Sequence, residues 1–113
     1  MGGAGSLHVG EGGLLVMDVA GVPAAVKARC PHTQTLEALQ AADTEADWCY
    51  VSPAAEFGAH VPGERVGAFR LGGDVLLSDA EGRSFVSGAD DPITFVDGID
   101  QAAHHQGRFC VAN

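Results

Sequence analysis

Three side chains in this sequence have the types and spacing to hold a soft metal: Cys30, His32 and Cys49. A thiolate and an imidazole two residues apart, with a second thiolate further on, are the S and N ligands taken by zinc and by iron–sulfur clusters. His60 and the pair His104-His105 are further imidazoles, and adjacent histidines in a strand face opposite sides, so only one of that pair could join a site. By ligand type, Cys30, His32, Cys49 and one of these histidines would satisfy a mononuclear zinc. Arg29 beside Cys30 also favours the thiolate, but a nucleophile needs an oriented base and an oxyanion site, and nothing here signals either. Lone cysteines are more often small buried hydrophobes, and Cys49 between Trp48 and Tyr50 fits that reading.

The elements around these residues set their context. Leu14 to Val19 and Val22 to Ala28 read as two strands joined at Ala20-Gly21, delivering Arg29-Cys30-Pro31-His32 to the end of a hairpin. This layout, with Cys-Pro-His followed by Cys49, resembles the cluster-binding part of Rieske-type ferredoxins, where Cys-x-His and Cys-x-x-His sit on neighbouring loops. The resemblance implies a [2Fe-2S] cluster held by Cys30, His32 and Cys49, and electron transfer to a reductase or oxygenase partner. The sequence departs from the pattern at Ser52, which stands where the fourth ligand belongs, and in a helical stretch where the family has an irregular loop. A clusterless relative, with no cofactor at all, is the other outcome of the same resemblance.

Leu36, Leu39 and Ala42 recur at helical spacing, which predicts one short helix over 36–42. Trp48 to Val51 reads as a strand. Beyond Phe57, glycines punctuate short apolar runs: Val66 to Leu71, Asp74 to Ser78, Ser84 to Ser87, Ile93 to Val96 before Asp97-Gly98, and Arg108 to Val111. The expected fold is mainly β, a small antiparallel barrel or sandwich with one helix. Residues 1–13, with six glycines, read as an N-terminal arm, and 14–113 as a single β-domain. Asp90-Asp91, Asp97 and Asp100 read as acids in solvated turns. Gly10 to Gly13 precedes a strand and not a helix, so it is no phosphate loop.

The 113 residues carry a formal charge of −9, which excludes nucleic acid and anionic membranes as partners because phosphate recognition needs clustered Lys and Arg. No apolar run approaches the roughly 20 residues that span a bilayer. The start lacks the basic and apolar segments of a signal peptide, which points to the cytoplasm. Three cysteines and no export signal argue against a disulfide framework. A second reading takes the glycine-rich arm and the incomplete ligand set together. It makes the chain a non-catalytic structural subunit bound to its neighbours in an assembly, such as a capsid-decorating or tail protein of a phage virion.

Overall fold

The computed structural model describes residues 1–27 and 31–113. Three helices and three strands are present among the described residues: α1 (Ala24–Lys27), α2 (His32–Ala41), β1 (Cys49–Ser52), β2 (Arg70–Gly72), α3 (Asp91–Asp100) and β3 (Gly107–Ala112). Two single-turn 3-10 helices, Ala4–Ser6 and Val16–Asp18, precede them.

The strands form one sheet in the order β1-β3-β2. β3 lies in the middle because its run Phe109-Cys110-Val111-Ala112 is apolar on both faces, and all four residues are buried. β1 pairs with it in parallel, from Cys49↔Gly107 to Ser52↔Cys110, while β2 pairs antiparallel, from Arg70↔Ala112 to Gly72↔Cys110. Gly72 leaves room for little more than its own backbone, since a Cβ there would stand 3.0 Å from the Cys110 sulfur. A parallel pair cannot be closed by a hairpin and needs a long crossover. Here the crossover includes β2 and ends in α3, which packs on β3. The core is Val51, Ala54, Val86, Phe109, Val111 and Ala112, with Phe57, Phe69, Leu77 and Phe95 packed against it.

This is a mixed α/β arrangement, and it overturns the expected antiparallel barrel or sandwich. Leu14 to Val19 holds a 3-10 turn, and the stretch after Gly21 forms α1. The expected helix exists and begins four residues earlier, at His32. Ile93 to Val96 has strand-favouring side chains yet lies inside α3. Signals at the helix start outweigh that propensity. The Ser87 hydroxyl accepts the Asp90 N–H at 3.0 Å and donates to the Asp90 carboxylate at 2.8 Å, and Pro92 occupies the first turn.

The segment from Ser6 to His8 is packed in. Leu7 is fully buried, and its neighbours bond in both directions. His8 N–H donates to the Asp74 carbonyl, Leu76 N–H to the His8 carbonyl, Val9 N–H to the Leu14 carbonyl and Val16 N–H to the Leu7 carbonyl, all at 2.8–2.9 Å. A turn over 10–13 closes this ladder, with Gly10 and Gly12 at φ of 82° and 68°, where a side chain would be strained. No helix among the described residues is long and apolar enough to cross a membrane.

Candidate functional site

Two constructions stand out: a polar cleft built on Arg108, and a buried acidic pair at the start of α3.

Arg108 projects from β3 and is nearly buried, its side chain 6% exposed. Its Nε and Nη2 both donate to Asp74 Oδ1, at 2.8 and 2.6 Å, and Nη1 donates to the Ser6 carbonyl and hydroxyl at 2.9 and 2.8 Å. One guanidinium thus ties the 3-10 turn at Ala4–Ser6, the loop after β2 and the central strand together, a fork geometry that lysine cannot reproduce. Beside it opens a cleft of about 400 Å³, walled by Leu15 and Leu36 and edged by Ser6, His8, Thr33 and Glu37. That volume lies in the range of small-molecule sites. His8 Nδ1 bonds the Gly13 carbonyl at 2.9 Å. A carbonyl can only accept, so Nδ1 carries the proton and the neutral ring keeps Nε2 as an acceptor. Four of the five Arg108 N–H donors are committed to protein, so the cleft suits a ring with polar edges better than a phosphate.

At the start of α3, Asp90 and Asp91 are both fully buried. Asp90 accepts the Val66 and Gly67 N–H groups at 2.9 Å each, the Ser87 hydroxyl at 2.8 Å and the Asn113 side-chain amide at 2.9 Å. Those donors, the Val66 N–H first among them, outweigh burial and hold its pKa down to about 2. Among the described residues, neither carboxylate oxygen of Asp91 has a hydrogen-bond partner. Burial pushes its pKa up, opposed by the amino group of Met1. The Ser52 hydroxyl at the end of β1 is likewise buried without a partner among the described residues.

The expected metal ligands are placed as follows. Cys30 lies outside the described residues. His32 is the first residue of α2, and its carbonyl accepts the Tyr50 hydroxyl at 2.7 Å. Cys49 is exposed at the start of β1. The α2 start and β1 are thus brought together, but through the backbone of His32. Among the described residues no group of three or more His, Cys, Asp or Glu could hold a metal ion. His104 stacks on Phe109 with ring centroids 4.1 Å apart, and His105 bonds Asp47 at 2.8 Å. The acids at 90 and 91, expected in a solvated turn, are interior. Arg108, Ser6, His8 and Asp74 carried no motif; the one signal was an arginine opening an otherwise apolar run, Arg108 to Val111.

No protein-family model matches the chain. It is 33% identical over 115 residues to the uncharacterised protein YwnB of Bacillus subtilis, covering all of this chain and 53% of YwnB. Among solved structures it resembles a candidate NADH-flavin reductase of Streptococcus pneumoniae, with 29% identity, a TM-score of 0.88, and coverage of 100% of this chain and 53% of that one. It also resembles a candidate exported protein of Burkholderia pseudomallei, at 37% identity and TM-score 0.86 over 99% of this chain and 52% of that one. A candidate epimerase of Bacteroides thetaiotaomicron is 37% identical, with TM-score 0.81 over 98% of this chain and 50% of that one. The chain spans about half the length of the relatives it matches.

These likenesses overturn the Rieske-type reading, with its [2Fe-2S] cluster and electron-transfer role, in favour of a reductase- and epimerase-like α/β fold of the Rossmann kind. The physical reason is local. The hairpin that would present a cluster loop is a 3-10 turn and a helix, and His32 sits in a helix instead of a loop. The phage structural subunit finds no support among the same neighbours.

Proposed function

We propose that this chain forms one half of a nicotinamide-dependent reductase of the flavin-reducing type and supplies the cleft that receives the reacting ring. The observation that carries this is the likeness to the candidate NADH-flavin reductase along the entire chain, at TM-score 0.88. The cleft agrees with it: about 400 Å³, with Leu15 and Leu36 set in a largely polar lining and an arginine whose donors are mostly committed. When bound, a reduced nicotinamide supplies a hydride and a flavin accepts it.

The chain's own residues have separable tasks. Leu15 and Leu36 shed water against a flat ring, which strengthens polar contacts at its edge. His8 Nε2 accepts a hydrogen bond from a ring N–H or, once protonated, donates one. Arg108 is a positioning residue that fixes Ser6 and the loop bearing Asp74 at the cleft mouth. NADH is an intracellular cofactor, which supports the cytoplasm as the place of action.

The 37% identity to the candidate epimerase favours a second reading, in which the same cleft holds a substrate whose stereocentre is inverted without net oxidation. NADH consumption by the complete fold, with and without added flavin, separates the two. Turnover that requires flavin, and falls about a hundredfold or more in His8→Ala, supports the reductase. No NADH consumption with any flavin removes it.

A further inference from the structure

Four residues of α2 line the Arg108 cleft: Thr33, Leu36, Glu37 and Gln40. Positions three and four apart on a helix share a face, so one stripe of α2 forms a side of the cleft. Leu36 is buried at the bottom of that stripe, 4% exposed, and α2 packs on the turn at Ala4–Ser6. Glu37, next in sequence, is exposed and reaches solvent at the mouth. The ion pairs among the described residues are Arg83–Glu56, His105–Asp47 and Arg108–Asp74, and none of them involves Glu37.

The charges of the lining leave that carboxylate over. Besides Glu37, the formally charged side chains there are Asp74 and Arg108. Arg108 directs Nε and Nη2 at Asp74, so those two offset each other. His8 can be neutral, its Nδ1 proton held by the Gly13 carbonyl. No second lysine or arginine lines the cleft among the described residues. The chain's formal charge of −9 adds a background of the same sign as Glu37.

We propose that Glu37 sets the specificity of this cleft, which takes a flavin without a phosphate, of the riboflavin class, in preference to flavin mononucleotide. The proposal rests on the reductase reading and names its substrate class. The flavin ring and its sugar-alcohol tail are uncharged, whereas a phosphate on that tail carries about −1.5 to −2 at pH 7. A cleft of about 400 Å³ takes the ring and the start of the tail, which leaves a phosphate at the mouth, where Glu37 stands. A doubly charged phosphate roughly 8 Å from one carboxylate in watery surroundings loses about fivefold in affinity. The one cation that could compensate, Arg108, has four of its five donors on Asp74 and Ser6. Glu37 thus acts by repelling the wrong ligand, while Leu15, Leu36 and His8 hold the ring common to both.

The test titrates riboflavin and flavin mononucleotide separately with the purified chain, following flavin fluorescence at low and high salt. At about 10 mM salt riboflavin should bind about fivefold or more tightly than the mononucleotide, and the gap should shrink at about 0.5 M as salt screens the repulsion. Glu37→Gln should bring the ratio of the two affinities below about twofold, and Glu37→Lys should reverse the preference. Glu81→Gln removes an exposed carboxylate outside the cleft lining and should leave the ratio as it was. Equal affinities, or a gap that persists in Glu37→Gln or at high salt, would overturn the assignment of Glu37 while the reductase reading stands. Saturation by neither flavin would remove both.

Discussion

Asp90 and Asp91 are neighbours at the start of one helix, equally buried, and opposite in every other respect. Asp90 collects four donors from three parts of the chain, the loop at 66–67, Ser87 and the side chain of Asn113. Asp91 collects none among the described residues. The difference teaches what burial means for a carboxylate. Interior position alone penalises the charge, and only oriented N–H and O–H dipoles reverse the sign. One acid therefore fastens the fold, while the other strains it unless something beyond the described contacts answers it.

Removing the fastening has the largest expected effect. Asp90→Ala orphans the Val66 and Gly67 amides and frees Asn113, and should lower Tm by about 10 °C or more at neutral pH, measured by thermal circular dichroism. The fork comes next. Arg108→Lys keeps the charge and loses the two-sided geometry, so unfolding in urea should show a loss of about 2–3 kcal/mol. Asp91→Leu removes a burial cost, and the chain alone should gain about 5 °C in Tm at pH 7. The smallest effect belongs to the exposed pair His105–Asp47, where His105→Ala should change stability by less than about 0.5 kcal/mol.

The two acids also pull the pH dependence in opposite directions. Asp90 has a folded pKa near 2 against about 4 when unfolded, so its stabilisation is present above about pH 4 and is lost as pH falls towards 2. Asp91 has a raised folded pKa, so folding prefers its protonated form. Its share of stability is present below the unfolded carboxyl value and is lost as pH rises through its folded value. Denaturant titrations from pH 2 to pH 7 should therefore show a flatter acid limb in Asp90→Ala. In Asp91→Leu the gain should vanish at low pH. Parallel profiles for the two variants would break the contrast.

What could be read from the sequence was local. The helix expected at 36–42 appeared through its own spacing, and the strands expected at Trp48 to Val51 and Arg108 to Val111 through short, largely apolar runs; they lie within or beside the observed elements His32–Ala41, Cys49–Ser52 and Gly107–Ala112. Parallel pairing of those two strands could not appear in this way, because register across 58 residues is set by the core and not by neighbours. Ile93 to Val96 misled for the opposite reason: side chains that favour strands lie inside a helix whose start is fixed by Ser87, Asp90 and Pro92. Those signals stood in the sequence as Ser-x-x-Asp before a proline. The cleft was invisible because Ser6, His8, Asp74 and Arg108 are scattered along the chain and are brought together by the fork of Arg108 and the backbone bond from His8 to Asp74. Cys30, His32 and Cys49 drew notice by residue type, yet the described ones serve helix and strand.

Whether the Arg108 cleft receives a flat, polar-edged ring is tested by titrating flavin fluorescence with the purified chain. Saturable quenching with one site is expected, weakened about tenfold or more by Leu15→Asp, which places a charge beside the ring. Quenching that does not saturate, or that is unchanged by Leu15→Asp, would contradict it.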